Sequence, residues 1–65
     1  MAFKFFMNDK DGNEVVRGQS ASPREAVNFL RDEASKIERN SPKIAANMRQ
    51  AAGRIEKARR DRKLP

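Results

Sequence analysis

Ser41-Pro42-Lys43-Ile44-Ala45-Ala46-Asn47-Met48-Arg49-Gln50-Ala51-Ala52-Gly53-Arg54-Ile55-Glu56-Lys57-Ala58-Arg59-Arg60-Asp61-Arg62-Lys63 forms the longest continuous helical pattern in the chain. Ile44, Met48, Ala51, Ile55 and Ala58 recur at alternating spacings of four and three. That is the seam of a helix lying lengthwise against another helix. The alanines favour helix and allow a neighbour to approach closely, whereas Gly53 falls opposite the apolar stripe. The same stretch holds eight basic residues against two acidic ones, Glu56 and Asp61. One element thus supplies half of a helical core together with a cationic surface.

A seam needs a partner, and the preceding segment provides it. Ser22-Pro23-Arg24-Glu25 is a helix start: the Ser22 hydroxyl can cap an orphan amide, Pro23 suits the first helical position, and Glu25 can complete a capping box. From Pro23 to Arg39, the residues Ala26, Val27, Leu30, Ala34 and Ile37 fall within about a 100° sector of a helical wheel. Phe29 lies on the flank of that stripe, where packing over the hairpin is preferred to the alternative of a partly exposed contact residue. Asn40 is read as a left-handed residue ending this helix, and Ser41-Pro42 as a second use of the Ser-Pro start. A link of one or two residues makes the helices antiparallel neighbours. The first helix is exhausted near Ala58, where Arg59 and Arg62 rotate onto the stripe. The second helix is therefore expected to outrun its core.

Upstream, Phe3, Phe5 and Met7 alternate with Lys4, Phe6 and Asn8, a strand pattern that Phe6 interrupts. Asp9-Lys10-Asp11-Gly12 reads as a type I turn with Gly12 in a left-handed bulge, and Asn13 to Gly18 as the returning strand. This turn sets Met7 opposite Val15 and Phe6 opposite Val16, although a plain two-residue Asp11-Gly12 turn would shift that register. Phe3, Phe5 and Phe6 are assigned to the core. A calcium loop on the same tract fails, because placing Gly12 sixth puts Met7 first and Gly18 twelfth, where carboxylates are required.

The expected fold is α+β, a small ββαα domain in which an N-terminal β-hairpin (2–18) packs on an antiparallel helix pair (23–39 and 42–62). It is one domain over 1–65, with a basic end at 59–65. A chain of 65 residues buries only roughly 60% of its unfolded surface, so its stability is marginal without support. There is no Cys or His, which removes disulfides and most transition-metal sites; no metal, cofactor or small-molecule substrate is expected. A homodimer or a stabilising partner remains. No apolar run approaches the length of a membrane span or a signal-peptide core, so a cytoplasmic protein without membrane contact is expected.

The formal charge of +6 is localised. Residues 1–18 hold three basic against three acidic side chains, and residues 19–39 four against four, so the whole excess falls after residue 39. A concentrated excess points to an anionic partner. Lys43, Asn47, Gln50, Arg54 and Lys57 share one helical face about 120° from the apolar stripe. Such a face offers phosphate contacts along with amides able to address base edges. Arg59, Arg60, Arg62 and Lys63 add sequence-independent attraction to phosphate. Some of these cations have a purely structural reason, since a helix C-terminus favours positive charge.

Enzyme chemistry lacks its usual general base, His, and a thiol nucleophile here, and the nearby acids Asp32-Glu33 and Asp9/Asp11 read as solvated charge balance. Non-enzymatic binding of DNA or RNA through the basic helix is the leading expectation. The alternative is a protein-binding module, an inhibitor or adaptor of the sort a phage or plasmid could encode. It would dock on an acidic or nucleic-acid-binding protein surface by its helix or by the open edge of its hairpin.

Overall fold

The alternation around Phe5 folds as β1 (Phe3–Asn8), which pairs antiparallel with β2 (Glu14–Ser20). The structure, a computed structural model, describes residues 2–63; Met1, and Leu64 and Pro65 of the expected basic end, lie outside the described residues. Two helices follow, α1 (Pro23–Ile37) and α2 (Pro42–Arg60). The hairpin packs on the helix pair, which is the ββαα arrangement expected.

The turn forms as its residues dictate. The Asp9 carbonyl accepts the Gly12 N–H at 3.1 Å, and the Asp9 N–H donates to the Asn13 carbonyl at 2.8 Å. Gly12 carries the positive φ, 84°, that this bulged turn requires. Asp9 Oδ1 accepts the amides of Asp11 and Asn13, each at 2.9 Å, so the carboxylate is committed to holding the turn.

Beyond the turn the register departs from expectation. Asn8 pairs with Glu14, but Met7 pairs with Val16 and Phe6 with Arg17, leaving Val15 as an extra residue on β2. This β-bulge brings two consecutive valines inward, Val16 buried and Val15 half-buried against the core. Regular alternation would have turned one of them to solvent. Alternation along β1, with Phe5 and Met7 turned inward, places Phe6 on the outer face of the sheet, 69% exposed, so its assignment to the core is corrected. β2 also runs two residues past Gly18, because Gln19 and Ser20 continue to pair with Lys4 and Phe3.

Phe5, Met7 and Val16 meet Ala26, Val27 and Leu30 of α1 and Ala51, Ala52 and Ile55 of α2 in one core. Phe3 stacks on Phe5 with ring centroids 6.0 Å apart. The Phe5 ring lies over Gly18: a Cβ there would sit 2.7 Å from Phe5 Cε2 and closer still to Cζ. Two ion pairs fix the helices as antiparallel. Arg31 meets Glu56 at 2.7 Å and Glu38 meets Arg49 at 2.9 Å, two turns further along α1 and two turns back along α2.

The α2 seam is rotated from the predicted one. Ala45, Ala51, Ala52 and Ile55 are buried and Met48 and Ala58 half-buried, while Ile44 is 45% exposed. The inward position of the first turn belongs to Ala45, whose small side chain lets neighbouring backbone come close. Phe29 is likewise corrected: at 51% exposed it points away from the core that Ala26, Val27, Leu30 and Ala34 enter.

Each helix terminus differs in part from expectation. Ser22 has extended dihedrals (φ −149°, ψ 162°), and its hydroxyl accepts the Glu25 N–H at 3.3 Å, which is one half of the capping box. Ser41 has ψ 65° and makes no side-chain cap, so the second Ser-Pro start acts through Pro42 and backbone alone. α1 ends at Ile37 instead of Arg39. The Ile37 carbonyl accepts both the Asn40 and Ser41 amides (3.1 and 2.7 Å), and Asn40 does not take the left-handed conformation. Residues 38–41 therefore make a link longer than predicted.

Candidate nucleic-acid interface

The polar stripe of α2 survives as a physical feature, but it is not a free face along its whole length. Lys43, Asn47, Gln50 and Arg54 line one wall of a shallow groove whose other wall is the hairpin turn, with Asn8, Asp9, Lys10 and Asp11. The packing of β2 on α2 creates this juxtaposition. Sequence reasoning missed Asn8 and Lys10, and it missed that Asp9 and Asp11 would face this helix. Two carboxylates opposite the first half of the stripe oppose phosphate there. The groove is consequently of mixed charge, suited to polar contacts more than to a polyanion backbone.

The second half of α2 differs. Lys57 continues the stripe beyond the groove, and Arg59 and Arg60 flank a shallow depression with Glu56 at the helix end. Arg54, Lys57, Arg59, Arg60, Arg62 and Lys63 are all exposed. Among the described residues none of the six takes part in an ion pair. The acids that could have neutralised them are directed elsewhere or belong to the cap: Glu56 is held by Arg31, and Asp61 is the C-cap residue. Arg49, by contrast, is drawn to Glu38 and leaves the cationic set. Its hydrogen bond and its charge hold the Glu38 carboxyl below the usual carboxylate range.

The helix reaches Arg60, not residue 62, and it ends cleanly. Arg62 donates to the Arg59 carbonyl at 3.0 Å and Lys63 to the Ala58 carbonyl at 2.8 Å, with Arg62 at φ 59°. This is a Schellman cap with an arginine in the position that glycine favours. Burial along α2 stops at Ile55 and half-buried Ala58, so Arg59 occupies the core-facing side of the helix where no core remains. The expectation that α2 outruns its core is met, and the projecting end is a fixed turn. Its cations surround a helix C-terminus, the negative end of the helix dipole, which stabilises Lys57, Arg59 and Arg60 locally.

No side chain with polar or charged groups is buried among the described residues, and no cluster of three or more potential metal-ligating His, Cys, Asp or Glu occurs among them. The arrangement offers exposed charge, amide groups and apolar surface. No helix of the described residues is long and apolar enough to cross a membrane. The chain has no detectable match among protein families, curated proteins or solved structures.

Proposed function

We propose that this chain binds DNA or RNA without catalysis, through the C-terminal half of α2 and its capped basic end. The observation that carries the reading is the group of exposed cations Lys57, Arg59, Arg60, Arg62 and Lys63, gathered where the helix leaves its core and joined by Arg54 at the end of the groove, with no ion pair among the described residues. Phosphate neutralisation by such a group releases counterions and makes affinity strongly salt-dependent. Asn47 and Gln50 line the mixed-charge groove, and the acids of the hairpin turn favour the far half of the helix for the polyanion.

The test is a salt titration of binding to duplex and single-stranded oligonucleotides. Replacing Arg54, Lys57, Arg60 and Lys63 by Gln should lower the slope of log affinity against log salt by about 3–4 for duplex, at about 0.9 per lost phosphate contact. The melting curve should stay close to wild type. Lys43→Gln, beside Asp9 and Asp11, should have a smaller effect. A wild-type chain that shifts neither oligonucleotide at moderate ionic strength overturns the proposal.

The second reading, docking on an acidic or nucleic-acid-binding surface of a larger protein, uses the same cations and is favoured by the exposure of Ile44. Capture from lysate with and without nuclease separates the two, since only a protein partner survives digestion. Either reading places a chain without Cys most simply in the cytoplasm.

A further inference from the structure

Two exposed phenylalanines remain outside the core, and their surroundings carry opposite charge. Phe6 stands on the outer sheet face, opposite Arg17 on β2 and two residues from Lys4 on its own strand. Glu14 meets Arg17 Nε at 3.4 Å, but with the Arg17 side chain 81% and the Glu14 side chain 42% exposed this contact is weak and easily exchanged. Phe29 stands on the outer side of α1. The positions that neighbour it on a helix surface are i±3 and i±4: Glu25, Asp32, Glu33 and the buried Ala26. One ring thus has two cations beside it with Glu14 at their edge, and the other has three carboxylates, of which Glu33 meets Lys36 at 3.4 Å, so the first patch is net basic and the second net acidic.

We infer that these two patches dock on each other between two copies of this chain, the outer sheet face of one copy seating Phe6 against Phe29 on α1 of the other. Charge complementarity selects the occupant. A nucleic acid fits the Lys4–Phe6–Arg17 patch but is repelled by the Glu25–Phe29–Asp32–Glu33 patch, whereas a second copy satisfies both at once. Exposed aromatics ringed by charge are what interface centres use, with apolar area inside and polar groups at the rim. Both patches lie off α2, so the pairing does not depend on nucleic-acid binding and leaves the cationic helix end open. A stable interface of about 800 Å² per chain would cover about a sixth of the 5161 Å² that a single chain exposes. That burial is the support a 65-residue chain without disulfides lacks.

The experiment is charge reversal with complementation, read by sedimentation equilibrium on full-length protein with circular dichroism as the folding control. Wild type should show a concentration-dependent mass of two chains. Lys4→Glu with Arg17→Glu makes both patches acidic, and Asp32→Lys with Glu33→Lys makes both basic. Each double variant should self-associate at least about tenfold more weakly, because like charges face each other. Mixing the two variants should restore the two-chain mass, since every contact in the mixed pair is again between opposite charges. A wild type that remains one chain over the accessible concentration range overturns the inference. So does association that survives either reversal, or a folded mixture that fails to complement.

Discussion

Substituting Ala at Gly18 and at Gly53 is the same chemical change with opposite expected consequences. Both positions lie outside the left-handed region, so each tolerates a Cβ as far as backbone is concerned. Removing glycine's freedom in the unfolded chain favours the folded state by about 0.4–1 kcal/mol in either case. At Gly53 nothing lies within 4 Å of the new methyl, and the position is an exposed helix interior. The full benefit, about 0.8–1 kcal/mol on the helix scale, should appear. At Gly18 the methyl would lie 2.7 Å from Phe5 Cε2, inside the distance that real Cβ contacts show. The ring cannot simply swing aside, because Phe5 is 7% exposed and stacked on Phe3. Overpacking of a filled core costs about 1–3 kcal/mol, which exceeds the entropic gain. The net loss should be about 1–2 kcal/mol, or roughly 4–16 °C in melting temperature at about 4–8 °C per kcal/mol for a domain of this size. Thermal and urea unfolding followed by circular dichroism measure both variants directly. Adding Phe5→Leu to Gly18→Ala should recover part of the loss as a favourable coupling of about 0.5 kcal/mol or more. If Gly18→Ala proves as stabilising as Gly53→Ala, the ring does not cover the glycine and the account of the sheet–core contact is wrong.

Three further outcomes follow from the termini and the helix pair. Ser22→Ala should cost about 0.5–1 kcal/mol of unfolding free energy, whereas Ser41→Ala should cost almost nothing, since only Ser22 caps an amide; equal losses would refute the assignment. Arg62→Gly relieves a left-handed arginine at φ 59° and should stabilise the chain by up to about 1 kcal/mol, measured by urea titration, while removing one cation from the proposed nucleic-acid surface. For Glu38, the folded chain binds the carboxyl proton less tightly than the unfolded chain because Arg49 stabilises the ionised form. Its contribution is therefore present above the ordinary carboxylate range and lost as pH falls through the lowered value. Melts of wild type and Glu38→Gln should accordingly differ at neutral pH and converge in strong acid.

The order and type of all four elements are legible in the chain because its punctuation is strong. Gly12 after two aspartates, and Pro following Ser at 22–23 and 41–42, mark boundaries that periodicity alone would blur. The cationic half of α2 is legible for a similar reason, since helical spacing and charge are both local properties. What escaped the sequence was decided by tertiary contact. Nothing in Glu14-Val15-Val16-Arg17 announces which valine is the extra residue; the bulge exists because the core has room for both. Phe6 and Phe29 look like core residues by type, yet the inner face of the sheet was already filled by Phe5 and Met7, and that of α1 by Val27 and Leu30. The opposition of Asp9 and Asp11 to Lys43 and Arg54 arises only when the hairpin folds across α2, a contact some thirty residues or more apart in sequence. Ile44 lost its place to Ala45 by a rotation of a single position.

The bulge at Val15 also bears on how this chain avoids its own kind in the wrong geometry. A sheet of two strands has nothing but edges, and each edge is a row of unpaired amides and carbonyls ready to recruit another strand. Val15 interrupts that row on β2, and the added local twist turns the remaining groups out of line with any straight incoming strand. Extension of the sheet from molecule to molecule, the first step toward a fibril, is thereby discouraged along that side. On that side a partner must be chosen by side chains, and not by the backbone, which would accept any strand.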